Sequence, residues 1–183
     1  ANNPGDFIFC EQKERLGTGH AVKQAAKYLP ENGKTIVLYS DVPLVSEKTL
    51  KKLIKSANRK KLSILTANKD KPKGYGRIIR NDDNQPLLIR EERDATREEK
   101  NIKEIFSGIM IADNDSLQKG LKSLVRNNAA GEYYLTDLVE FASTRQYKIG
   151  STHAQELEIL GANNKQELGD LYRALVALNI ASA

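Results

Sequence analysis

KTIVLYSDVP, residues 34–43, decides the reading of this chain. Ile36, Val37, Leu38 and Tyr39 make a short apolar run, and Asp41-Val42-Pro43 follows at once. An apolar run of branched and aromatic residues bounded by turn residues reads as a strand buried on both faces. A carboxylate just beyond such a strand is costly if buried alone, so it either caps a turn or helix or holds a divalent cation. For Asp41 both readings stay open on the residues alone.

Residues 61–67 (KLSILTA), 104–112 (EIFSGIMIA) and 147–152 repeat the buried-strand signature. Between them lie helical stripes. Ala21, Val22, Ala25, Ala26 and Leu29 form one, and Leu50, Leu53, Ile54 and Ala57 another. Leu135, Leu138, Val139 and Ala142 form a third; Leu168, Leu171, Tyr172 and Leu175 form a fourth. Strands alternating with helices predict an α/β fold, Rossmann-like, with a mostly parallel sheet and helices on both faces. One region breaks the alternation: residues 76–80 (GRIIR) and 86–90 (PLLIR) flank the polar turn Asn81-Asp82-Asp83-Asn84, which predicts an inserted β-hairpin. The charge-dense segment 91–103 after it reads as a lid or surface loop with one helical turn.

The chain's 183 residues, 39% of them apolar, suit one globular domain. Cys10 has no partner for a disulfide and sits beside Phe7-Ile8-Phe9, which predicts a core residue in a reducing compartment. No apolar run reaches the ~20 residues of a membrane helix, and no charged-then-apolar leader is present, so a cytoplasmic protein with no membrane partner is expected. The net charge of +5 gathers in lysine clusters such as Lys51-Lys52-Lys55 and Lys69-Lys71-Lys73. These lack the interleaved aromatics of nucleic-acid readers, so they are read as solvated helix ends and loops, with no nucleic-acid partner.

In open α/β sheets the ligand lies beyond the carboxyl ends of the strands. Three segments meet that condition: residues 12–19 (QKERLGTG), Asp41-Val42-Pro43 and Gly74-Tyr75-Gly76. Gly17-Thr18-Gly19 is either a close approach of backbone to a ligand or a plain helix entry. Gly74 and Gly76 suit backbone donors against a sugar or phosphate, or a simple turn. Glu91 and Glu92 suit sugar hydroxyls, or solvent. Asn163 is either a helix cap or a neutral oxygen ligand to the cation of Asp41. His20 and His153 lack metal-ligand spacing and are read as structural.

The order of these motifs carries more than any one of them. RLGTGHAV, LYSDVPL, GYGRI, EERDAT, GEYYLTD and GANN occur here with one characteristic spacing. The chain resembles, from about Glu11 to about Leu175, the uridyltransferase domain of bacterial bifunctional N-acetylglucosamine-1-phosphate uridyltransferase/glucosamine-1-phosphate acetyltransferases. The resemblance implies transfer of uridylyl from UTP to N-acetylglucosamine 1-phosphate, giving UDP-N-acetylglucosamine and pyrophosphate, with Mg²⁺ as cofactor. It implies nucleotide contacts from Gln12, Gly17, Thr18, Tyr39, Ser40 and Asp41, and sugar contacts from Gly76, Glu91, Tyr134 and Thr136. Asp41 and Asn163 would hold the metal.

Four departures qualify what is expected. The family's glycine-rich triphosphate loop and its C-terminal β-helix have no counterpart in these residues, so the expectation is a partial, N-terminally truncated domain with no acetyltransferase activity. Its exposed edge allows association between copies, in the simplest case a homodimer. Phe106 stands where the family has asparagine against the sugar, and Ser40 where glycine is usual. A nucleotide-sugar-binding module without catalysis and a nucleotidyltransferase for another sugar phosphate are the alternatives.

Overall fold

The computed structural model describes residues 7–162 and 165–181. Its spine is β5 (Glu104–Asp113), whose residues 105–112 are all buried. β2 (Leu62–Asn68) pairs antiparallel along one edge of β5. β1 (Lys34–Val37) and β3 (Arg77–Arg80) share the other edge, β1 against Met110 to Asp113 and β3 at Ile105. β4 (Pro86–Arg90) closes the expected hairpin with β3, and β6 (Ile149–His153) runs parallel to β2, completing a six-stranded sheet.

The α/β architecture is as read from sequence, but the expectation of a mostly parallel sheet needs correction. Among the described strands only the β2–β6 pair is parallel, because β5 runs against both β1 and β2 and the hairpin adds two further antiparallel pairings. The physical reason lies in β5. A strand covered on both faces shows a continuous apolar run whichever way it points, so EIFSGIMIA carries no record of its direction.

Helices cover both faces, as expected. Alternation along the strands divides the core: Leu62, Ile64, Phe106, Met110 and Ala112 face α3 (Asn114–Ser123) and α4 (Asp137–Thr144), through Leu117, Leu121, Leu138 and Val139. On the other face Leu65, Ala67, Ile105, Ile109 and Ile111 pack with Leu53 of α2 (Glu47–Ser56), Ala57 and Ile159. The Ser46 side chain caps α2 by accepting from the Thr49 amide at 3.2 Å. α1 (Thr18–Ala25) continues into a 3-10 turn at Ala26–Tyr28, and α5 (Lys165–Ala181) follows the segment after β6. No helix among the described residues is long and apolar enough to cross a membrane.

α3 has no counterpart in the sequence reading. Its buried face mixes Leu117 and Leu121 with Asn114, Ser116 and Gly120, so no apolar stripe announces it. Gly120 is needed there, since a Cβ would stand 2.5 Å from Leu138 of α4. Asp113 supplies the start signal, accepting from the Ser116 amide at 3.2 Å.

The pairing of β2 with β5 is interrupted by a bulge. Ile64 faces Met110 and Thr66 faces Phe106, so β5 spends four residues where β2 spends two. The surplus centres on Gly108, at φ 86°. Ser107 repairs the interrupted ladder: its hydroxyl donates to the Leu65 carbonyl at 2.9 Å and accepts from the Ile109 amide at 3.2 Å.

Candidate functional site

A cavity of about 570 Å³ opens between the ends of β1 and β2, the β5 bulge and the start of α5. Pockets of about 300–1,000 Å³ suit small-molecule ligands. Thr18, Tyr39, Asp41, Gly76, Glu91, Tyr134 and Thr136, drawn from separate stretches of the chain, all line it. Gln12, Gly17 and Ser40 lie outside this lining. Asn163 falls outside the described residues.

The first wall is the entry to α1. Gly17, at φ 105°, has its Cβ position 2.7 Å from the Tyr133 carbonyl oxygen. Backbone bonds stitch the two segments together, from Gly19 N–H to the Tyr133 carbonyl at 2.8 Å and from Tyr133 N–H to the Leu16 carbonyl at 2.8 Å. The Thr18 hydroxyl accepts from the Leu135 amide at 3.0 Å. Glycine is therefore required here for close approach to the 133–135 segment. Gln12 donates to the Gly17 carbonyl at 3.1 Å and meets the His20 ring at 3.0 Å, which holds this entry and gives His20 the structural place expected of it.

The second wall carries Tyr39 and Asp41. The Tyr39 ring packs on the bulge, with the Cβ position of Gly108 only 2.7 Å from Cδ2. Burial pushes the Tyr39 hydroxyl up to about 12, against a hydrogen bond from Thr18, with the Glu91 and Asp41 carboxylates adding to the rise. Tyr39 thus lies within electrostatic reach of both Glu91 and Asp41. Asp41 is half-buried in the turn after β1, and among the described residues its carboxylate has no hydrogen bond or ion pair. Its carbonyl accepts from the Ala162 amide at 3.2 Å, which draws the 161–162 segment against it.

The third wall is Gly74-Tyr75-Gly76. Arg77, 1% exposed, fixes it from below by donating to the Tyr75 carbonyl and, at 2.6 Å, to the Glu92 carboxylate. Glu92 also accepts from the Gly74 amide at 3.3 Å. Glu92 is thereby occupied, and of these two neighbours Glu91 lines the cavity. The segment read as a lid or surface loop with one helical turn is a braced loop: Glu99 accepts from Arg90 and from the Thr96 amide, and a single 3-10 turn spans Glu99–Asn101.

At the fourth wall Thr136 donates to Glu91 at 2.7 Å and Tyr134 donates to Asp94 at 3.2 Å. Burial raises the Glu91 carboxyl above its ordinary value, with Thr136 opposing. Burial, with Glu140, Glu91 and Asp94 nearby, raises Asp137 to about 6. Phe106, 6% exposed, adds an apolar face to the lining.

Sequence reasoning missed part of the lining. Lys69 and Lys73, read as solvated loop charges, line the cavity, and so do Glu132, Glu167 and Leu171. The Ser107-Gly108 bulge had a visible signal, because a glycine within a strong strand pattern marks a bulge or close approach.

Fold and cavity together define an α/β domain with a cavity of ligand size at the ends of its strands. The chain belongs to the nucleotidyl transferase family, whose model matches residues 6–156. It is similar to the bifunctional protein GlmU of Idiomarina loihiensis, 45% identical over 173 residues, covering 93% of this chain and 38% of the relative. The bifunctional protein GlmU of Nitrosomonas europaea is 46% identical over 171 residues, covering 92% of this chain and 37% of that protein. The chain thus spans under two fifths of the length of these curated relatives. A Bacillus anthracis structure assigned as a glucose-1-phosphate thymidylyltransferase shares the fold, with a TM-score of 0.59 at 16% identity over 78% of this chain and 55% of that one.

Proposed function

We propose that this chain is a uridyltransferase domain that joins UTP and N-acetylglucosamine 1-phosphate into UDP-N-acetylglucosamine. The observation that supports it is convergence: Thr18, Tyr39, Asp41, Gly76, Glu91, Tyr134 and Thr136 meet in one cavity of a chain similar at 45% identity to proteins named for GlmU. A phosphate oxygen of the sugar phosphate forms a bond to the α-phosphorus of UTP, the bond from that phosphorus to the bridging oxygen breaks, and pyrophosphate departs. Such chemistry asks the protein to align two polyanions and to stabilise charge, with little covalent work of its own. Thr18, Tyr39 and Asp41 serve the nucleotide end. Gly76 brings backbone close to the sugar, while Glu91, set by Thr136, accepts from a sugar hydroxyl.

The residues present fit a Mg²⁺ ion. Asp41 is a half-buried carboxylate at the cavity with no protein cation paired to it among the described residues, and no cluster of three or more acidic, histidine or cysteine ligands competes there. Mg²⁺ commonly uses one or two protein oxygens and completes its shell with water and phosphate. Asp41 and Asn163 would hold it, and when bound it would neutralise phosphate charge.

A second reading, a different sugar phosphate, is favoured by Phe106, which offers the ligand no hydrogen bond. A panel of UDP-N-acetylglucosamine, UDP-glucose and dTDP-glucose separates the two by thermal shift. A ligand at ~100 times its Kd stabilises by ~2.7 kcal/mol. The largest shift is expected with UDP-N-acetylglucosamine; no shift with any of the three would sink both readings.

A further inference from the structure

Charge at the cavity presents a problem. Its described lining carries the carboxylates of Asp41, Glu91, Glu132 and Glu167, and a diphosphate entering it would be repelled. A divalent cation at Asp41 answers only part of that charge. The cations of the described lining are Lys69 and Lys73, both from the segment between β2 and β3.

The two lysines are placed differently. Lys69 keeps only 17% of its side chain exposed, pairs with Glu156 at 2.8 Å and lies 5.6 Å from the centre of the Tyr75 ring. Its amide donates to the Lys103 carbonyl at 3.0 Å, so the backbone is held as well. An ammonium has three donors, and Glu156 takes one. Lys73 is exposed and makes no ion pair among the described residues. Its neighbours are fixed: Tyr75 N–H donates to the Pro72 carbonyl at 3.1 Å, and Gly74 N–H donates to Glu92. One ammonium is thus pre-positioned and partly desolvated, and the other is carried to the cavity mouth on a pinned turn.

We propose that Lys69 and Lys73 bind the phosphate groups of the ligand and set the preference of this cavity for phosphorylated over unphosphorylated compounds. The inference rests on the nucleotide-sugar reading above. It assigns a binding role to lysines that the sequence pattern alone reads as solvated.

The test titrates UDP-N-acetylglucosamine, and uridine as the phosphate-free control, into the wild-type chain, Lys73→Gln, Lys73→Arg and Lys69→Gln/Lys73→Gln, with a thermal melt of each. Lys73→Gln should weaken UDP-N-acetylglucosamine by at least about tenfold, the double variant should weaken it further, and Lys73→Arg should restore it. The loss should shrink with added salt, and uridine should bind all variants alike. Affinity for UDP-N-acetylglucosamine in the folded double variant within about twofold of wild type would overturn the lysine inference alone. An equal loss for uridine would also overturn it, since the lysines would then act through the fold. If the folded wild type binds UDP-N-acetylglucosamine no better than uridine, the nucleotide-sugar reading fails and the inference fails with it.

Discussion

Replacing Gly108 by alanine should damage the fold and the cavity together. The residue sits at φ 86°, and a Cβ there would lie 2.7 Å from Cδ2 and 2.9 Å from Cγ of Tyr39. Left-handed backbone costs a non-glycine residue ~1–2 kcal/mol. Overpacking a filled site adds ~1–3 kcal/mol, because the Tyr39 ring must move toward the space the ligand would use. The sum is about 2–5 kcal/mol, a large share of the ~5–15 kcal/mol that holds a typical domain. At ~2–4 °C per kcal/mol for a chain of this size, thermal unfolding followed by circular dichroism should drop by roughly 10 °C. Introducing the same change in a Tyr39→Ala background removes the crowding and leaves the backbone cost, so the double-mutant cycle should show a coupling of ~1–3 kcal/mol. A melting temperature within about 2 °C of wild type for Gly108→Ala would mean that neither strain nor crowding acts at this position.

Other perturbations test the supports of the cavity. Arg77→Met leaves Glu92 without its strongest partner and frees the Gly74-Tyr75-Gly76 turn, and should cost about 2–4 kcal/mol in urea unfolding; the value falls below that of a fully buried pair because Glu92 keeps 27% of its side chain exposed. Asn114→Ala removes a fully buried amide that donates to the Pro30 and Asn32 carbonyls and accepts from Thr35, and should cost about 2–4 kcal/mol, with β1 loosened from α3 in hydrogen exchange. Asp137, raised to about 6, binds its proton more tightly folded than unfolded, so its contribution is most favourable below about pH 4 and is lost as pH rises through about 6. Asp137→Asn should therefore gain about 1–2 kcal/mol over wild type at pH 7 and nothing at pH 4, read from melts across that window; a constant difference at all pH values would contradict the assignment.

How much of this was legible depends on what each residue records. The apolar runs at 61–67 and 104–112 announced β2 and β5 because burial on both faces leaves a continuous signature. The hairpin was legible in Asn81-Asp82-Asp83-Asn84, where Asn84 indeed takes φ 60° and Gln85 donates its amide to the Asn81 side chain at 2.8 Å. Strand direction was not legible, since burial has no sense of direction. α3 escaped because Gly120 and Asn114 belong to its packed face, where a helix pattern calls for apolar residues. Of the candidate site, the cavity gathers residues whose motifs were each ambiguous alone. Lys69 was misread because a lysine's sequence neighbours do not reveal Glu156 and Tyr75, which hold it at the cavity.

Asp41 is proposed to hold a metal ion in a nucleotide-sugar site. Isothermal titration of UDP-N-acetylglucosamine into the wild-type chain and into Asp41→Ala, each with and without Mg²⁺, tests it most directly. Wild type should show saturable binding that tightens with Mg²⁺, and the Asp41→Ala variant, folded by its melt, should lose the Mg²⁺-dependent part. Binding by both proteins that ignores Mg²⁺, or no binding by a folded wild-type chain, would contradict it.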